Sequence, residues 1–322
     1  MGRYAIRVRV ARDVGHDMSG GLSTRGAAVL LALVVFAWGT NWPVTRTIVH
    51  EIPPLWATAI RCMIAAAGLA PLLWAQGDLI IPKRGDMPVV LCTSVLHLVA
   101  FSALVAAGLQ FVPAGRAIVL GYTTPIWVAI GASLFLSEAI TARRAIGIGF
   151  GLAGLAVIFN PATLNWSDRD ALYGSGLILI AAFCWAGNIV YVRAHRWIST
   201  PFQLVFWQVL LAAALLSVLA AFTEGAPHIA WTPRLAALML YSGIVCTAFA
   251  NWAMTMVNRS LPAVTTSLCL LATPLLGIVS ATVFLDEPLE PSLFLAMLLI
   301  IGGIALGAIG GGRSQVASSA RV

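Results

Sequence analysis

Acidic residues are scarce in this chain. Only 12 of its 322 residues are Asp or Glu, and none lies deep in an apolar run. A carrier that exchanges organic cations for protons needs a buried carboxylate to hold each in turn, so this scarcity argues against that mechanism. There is no HExxH, no GxSxG and no pair of buried aspartates, and Arg61 and His97 alone make a weak site, which leaves an intramembrane enzyme as a remote alternative. There is no P-loop to bind a nucleotide, and no charged ring or selectivity-filter sequence for a channel. The five cysteines (Cys62, Cys92, Cys184, Cys246 and Cys269) lack CxxC or His/Cys ligand spacing. They read as small hydrophobes, and neither a metal nor another cofactor is expected.

What fills the chain is apolar. Hydrophobic residues make up 60% and charged ones 10%, with a mean hydropathy of +0.93. Soluble domains average about 25% charged residues, so one aqueous core cannot hide this much apolar surface. The solvent is a lipid bilayer, where each helical span needs roughly 20 apolar residues. The runs are continuous rather than alternating, which predicts helices instead of barrel strands. Ten are expected, over 26–48, 54–75, 88–112, 113–137, 140–160, 172–193, 201–222, 233–257, 262–285 and 291–311.

The formal charge of +7 does not point to nucleic acid, because the basic residues are spread over short connections without interleaved aromatics. Their placement instead sets orientation. With the N-terminus in the cytoplasm, the inside holds Arg3, Arg7, Arg9, Arg12, Arg25, Lys83, Arg84, Arg143, Arg144, Arg193, Arg196, Arg259, Arg313 and Arg321. The outside holds only Arg46, Arg169 and Arg234. Both termini are therefore expected in the cytoplasm, in an inner (plasma) membrane protein. Residues 1–25 read as a disordered tail, with Met18 an alternative start. The first apolar run is too long for a signal peptide.

The chain repeats itself. FAWGTNWPVTR (Phe36 to Arg46) is echoed by FCWAGNIVYVR (Phe183 to Arg193), so that Trp38 maps to Trp185 and Asn41 to Asn188. Arg61 maps to a neutral amide, Gln208. Further on, Thr124-Pro125 maps to Thr273-Pro274, and the ending FLSE with Glu138 maps to FLDE with Glu287. Each copy holds five expected spans. An odd number sends the second copy through the membrane in the opposite sense, which is the sequence trace of an alternating-access carrier. The repeats run over 26–160 and 172–311, joined by an external linker at 161–171 and followed by a cytoplasmic tail at 312–322.

The segments AWGTNWPVTR, PPLWATAIRCMIAA, PAGRAIVLGYTTPIWVAIGASLFLSE and LPAVTTSLCLLATPLLGIVSATVFLDE resemble the EamA family of the drug/metabolite transporter superfamily. The resemblance covers roughly residues 26–310. It implies ten helices, two inverted repeats and movement of small metabolites, often outward.

Polar residues inside apolar runs mark the candidate site. Trp38 and Asn41 lie on one face with Thr45, three and four residues apart. Trp42 adjoins them, and Trp185 and Asn188 are their repeat mates. Arg61, about seven residues into the second span, must pair or meet water. A contact for a substrate carboxylate or phosphate, and a bond to freed carbonyls, are both open for it. His97 is a candidate proton carrier or an interhelical tie. Pro125 and Pro274 break corresponding spans, which is the sequence pointer to a carrier's binding site. Tyr122, Thr123 and Thr273 flank these breaks. Gln208, Asn251 and Trp252 complete the candidates. Glu138, with Arg143 and Arg144, and Glu287 read as latches at opposite ends.

Arginine without intramembrane acid favours an anionic or zwitterionic cargo. The expected function is a secondary transporter exporting a small metabolite such as an amino acid or organic acid. The alternative is export of neutral or cationic drug-like compounds. The expected partners are the substrate and the lipid bilayer. Proton coupling, and the choice between monomer and homodimer, are left open.

Overall fold

The helix starts are written in short polar signals. Ser23 caps the first helix through its hydroxyl on Gly26 N–H (3.2 Å). Asp168 caps another on Ala171 N–H (3.0 Å). Thr200 and Gln203 form a reciprocal capping box ahead of Pro201, and Thr232 caps Leu235 N–H (3.1 Å) just before Pro233. Each satisfies an amide that has no intrahelical partner. The second helix stops at Gly77, whose φ of 71° lies in the left-handed region that glycine enters most easily.

A computed structural model describes residues 23–136, 141–158, 167–261, 266, 269–270 and 272–319, without the side chains of 144, 255, 258, 259 and 307–319. The described residues are predominantly helical and contain no strand. In chain order they form α1 (Thr24–Val49), α2 (Pro54–Gln76), α3 (Met87–Cys92), α4 (Ser102–Gly108), α5 (Ala114–Gly121), α6 (Thr124–Phe135) and α7 (Ala142–Ile158). There follow α8 (Arg169–Ala194), α9 (Pro201–Thr223), α10 (Pro233–Leu240), α11 (Ala250–Ser260), α12 (Ala272–Leu285) and α13 (Pro291–Ser319). Seven helical stretches among them are long and apolar enough to cross a membrane. Three shorter apolar helices are Ala145–Ile158, Ala272–Leu285 and Pro291–Leu306. The chain is a multi-pass integral membrane protein.

Two departures from plain α-helix stand out. α3 and α4 are joined through a π-helical segment, Thr93–Phe101, and α10 and α11 through another, Tyr241–Phe249. The two segments sit at matching places in the two repeats. A π turn bonds i to i+5 and widens the helix. Side-chain hydroxyls follow that wider spacing. Ser102 donates to His97 O (3.4 Å) and Thr247 to Ser242 O (2.9 Å).

The second difference is at Pro125, where a single span was expected over 113–137. The chain breaks at Tyr122 and Thr123, and Pro125 is the second residue of α6. Proline has no N–H to offer Gly121 O. The Thr124 hydroxyl donates to that oxygen instead, at 2.7 Å. At the C-terminal end, α13 runs to Ser319, past residue 311.

Packing is exchanged between the repeats. α1 lies against α12 and α11, and its mate α8 lies against α6 and α4. α2 meets the second π segment, and its mate α9 meets the first. The self-paired contacts are α2 with α9 and α7 with α13. Small residues permit the closest crossings. At the crossing of α1 and α12, a β-carbon on Gly39 would lie 3.0 Å from Thr273 O. Where α2 meets the second π segment, one on Gly243 would lie 3.1 Å from Arg61 O.

Candidate functional site

The polar face of α1 is the natural start. Trp38, Asn41 and Thr45 all line one cavity of about 300 Å³ between the two halves. α2 adds Thr58 and Arg61, and the first π segment adds His97 and Phe101. α8 adds Trp185, and the second π segment adds Ser242, Cys246 and Thr247. Along α1 the cavity runs from Trp38 to Ile48, which is about 15 Å at 1.5 Å per residue. It thus reaches from mid-helix to the end next to residues 50–53.

The π segments hold the aromatic walls. Trp38 donates its indole N–H to Cys246 O in the second segment, at 3.1 Å. Trp185 packs on the first, its ring stacked on His97 with centroids 5.6 Å apart and planes 6° apart. Phe101 closes on Trp185 at 5.0 Å. Each repeat's tryptophan is therefore seated on the other pair of wide turns. Trp42 fits because of Gly121, where a β-carbon would fall 2.7 Å from the indole Cη2.

The polar groups of the wall are partly engaged. Asn41 Oδ1 accepts from the Ser242 hydroxyl at 2.9 Å, and Asn251 donates to Thr247 O at 2.7 Å. Arg61 is different. Its Nε is buried and has no hydrogen-bond partner. Among the described residues no Asp or Glu lines the cavity, so Arg61 is its lone fixed charge. A guanidinium in a low-dielectric, acid-free space raises the local positive potential and can offer a fork of donors to a carboxylate or phosphate.

Nine residues singled out from the sequence share this wall, namely Trp38, Asn41, Trp42, Thr45, Arg61, His97, Tyr122, Trp185 and Asn251. Seven others lie elsewhere. Thr123 is buried, donates to Leu120 O (2.6 Å) and accepts from Trp127 Nε1 (3.1 Å). Pro125 begins α6. Asn188 is buried, with Oδ1 unpaired. Gln208 is buried in α9, where its backbone carbonyl accepts from Ser94 (3.0 Å). Trp252 packs on Phe249, and Thr273 and Pro274 are buried in α12.

Sequence reasoning missed Phe101, Thr58, Ser242 and Thr247. The signal for the last two was present as polar residues five apart within an apolar run, a spacing that α-periodicity does not group.

At the end of the bundle beside residue 46, Glu287 ties three elements together. Its carboxylate accepts from Ala114 N–H (2.8 Å) and Gly115 N–H (3.0 Å) at the start of α5 and pairs with Arg46 of α1. A carboxylate on a helix N-terminus is favoured by both the free amides and the dipole. Among the other latch candidates, Arg143 is exposed at the start of α7. Glu138 and the Arg144 side chain lie outside the described residues. At the opposite end of the bundle, Asp86 is fully buried. It accepts from Ile198 N–H (3.1 Å), Ser199 N–H (2.8 Å) and the His195 ring (3.2 Å).

A helical multi-pass membrane protein, with repeat-exchanged packing around a cavity that carries one lone cation, is the class these features define. The EamA-like transporter family matches residues 25–160 and 172–308, and the chain belongs to that family. It is therefore built of two EamA-like repeats, and the family is one of transporters, not enzymes. Over 303 residues it is 30% identical to the "Probable amino-acid metabolite efflux pump" of Salmonella typhimurium (strain LT2), covering 89% of this chain and 96% of that protein. It is 27% identical over 283 residues to the "Uncharacterized transporter YoaV" of Bacillus subtilis (strain 168), covering 88% and 97%. A solved crystal structure matches with a TM-score of 0.62 over 93% of this chain and 100% of that one, at 20% identity. That last likeness speaks to the fold alone.

Proposed function

We propose that the protein is a secondary transporter that exports a small carboxylate, an amino acid or organic acid, by alternating access. The observation that carries this reading is Arg61, whose buried Nε is unpaired in a cavity without an acid. The name of the Salmonella relative, an amino-acid metabolite efflux pump, supports the same class. Arg61 orients the carboxylate. Asn41 and Asn251 meet polar groups of the cargo, and Trp38, Trp42, Tyr122 and the stacked His97–Trp185 pair give shape and apolar contact.

In this reading ten helices cross the membrane as two inverted five-helix repeats, with both termini in the cytoplasm. Rocking of one repeat against the other moves access between the two sides. Glu287 with Arg46 latches the outer end, and Glu138 with Arg143 and Arg144 latches the inner end.

The test is transport in proteoliposomes loaded with labelled amino acids and organic acids, with and without an imposed proton gradient. Native protein is expected to move at least one such acid, Arg61→Ala to lose at least tenfold in rate, and Arg61→Lys to keep part. A gradient effect identifies proton coupling. Transport of cationic dyes, undiminished by Arg61→Ala and without movement of any acid, would refute the proposal.

A further inference from the structure

A second hollow lies outside the cavity. It is a groove of about 360 Å³ between α1, α10 and α12, lined by Phe36, Val44, Thr47, Leu238 and Phe284 among others, with Arg234 at one end. Its lining is mainly apolar, with Thr40, Thr47, Tyr241 and Arg234 as the polar members, and both phenylalanines are more than half exposed, so in a membrane protein it faces lipid. Two hydrogen bonds from adjacent residues wall it off from the cavity. Thr40 meets the Tyr241 hydroxyl at 2.6 Å on the groove side. Ser242 donates to Asn41 at 2.9 Å on the cavity side.

The dimensions select the occupant. Along α1 the groove extends from Phe36 to Thr47, about 16 Å at 1.5 Å per residue. That is the depth of one leaflet, half of a hydrocarbon core about 30 Å thick. Arg234 stands at the interfacial end, exposed, as the second residue of α10. A cation there opposes the helix dipole, so α10 does not itself require it. A mainly apolar slot one leaflet deep with a guanidinium at its mouth matches one acyl chain below one phosphate, and among the described residues no Asp or Glu lines it to receive a headgroup ammonium, which favours a lipid of net negative charge.

We propose that this groove is a binding site for an anionic phospholipid, with an acyl chain along α1 and the phosphate on Arg234. The bound lipid buttresses the contact between α1 and the second π segment, and so the cavity wall made by Asn41 and Ser242. The site is independent of what the cavity carries.

The experiment is native mass spectrometry of the full chain, stripped of lipid in mild detergent and titrated with phosphatidylglycerol, phosphatidylcholine or inorganic phosphate. Phosphatidylglycerol is expected to be retained at least tenfold better than phosphatidylcholine. Arg234→Gln should remove that preference while leaving the melting temperature of the lipid-free protein unchanged. Val44→Trp, which fills the slot, should weaken retention of both lipids. Equal retention of the two lipids by native protein would overturn the proposal. So would an Arg234→Gln variant that still prefers phosphatidylglycerol, or displacement of the lipid by millimolar phosphate alone.

Discussion

Glu287→Ala tests the tie at the end of the bundle. The carboxylate holds two backbone amides, Ala114 N–H at 2.8 Å and Gly115 N–H at 3.0 Å, and pairs with Arg46. Its side chain is 11% exposed, against 26% for Arg46. A hydrogen bond to a charged group contributes about 1.5–3 kcal/mol, and losing an N-cap costs about 0.5–2 kcal/mol. These contributions share one carboxylate and do not add, so truncation should destabilise by about 2–4 kcal/mol. Glu287→Gln keeps one oxygen for one amide and should lose about half of that. Arg46→Ala leaves both amides satisfied and removes only a partly wetted ion pair, worth about 0–1 kcal/mol. Unfolding by sodium dodecyl sulfate, or melting in detergent, should therefore rank the variants Glu287→Ala, Glu287→Gln, Arg46→Ala, from most to least damaged. If Arg46→Ala is as damaging as Glu287→Ala, the helix-capping account is wrong and the ion pair dominates.

Two further stability predictions follow from buried acceptors. Thr124→Val keeps side-chain shape but leaves Gly121 O without its hydroxyl donor. It should cost about 1–3 kcal/mol, measured in the same unfolding assay, with no change for Thr223→Val, whose hydroxyl is exposed. Asp86→Ala strands the part-buried amide of Ile198 and the buried amide of Ser199 and should cost about 2–4 kcal/mol, clearly more than His195→Ala, which removes one donor and leaves those two bonds intact.

How far the sequence reached can be judged residue by residue. The face of α1 was legible because Trp38, Asn41 and Thr45 sit on a regular helix, where spacing alone fixes direction. Asn188 shows the limit. Its repeat mate Asn41 lines the cavity, while Asn188 is buried away from it. Two equivalent positions diverge when neighbouring helices rotate or shift, and sequence carries no record of that rotation. Ser242 and Thr247 escaped for a related reason. A π turn adds a residue, and one residue rotates a helical face by about 100°, so the α-periodic pattern assigns them wrongly.

The solvent, the helical class, the doubling of the chain and the family were all legible in the order of residues alone. These follow from run length, from the need to satisfy every backbone group in lipid, and from residue identities at fixed offsets, all of which are local or one-dimensional. That Glu287 caps α5, that two π segments carry the tryptophans, and that a pair of adjacent hydrogen bonds divides a central cavity from a lipid-facing groove emerge only once the chain is folded. Those facts depend on contacts across 173, 208 and 201 positions of chain, where packing geometry rather than local preference chooses the partner.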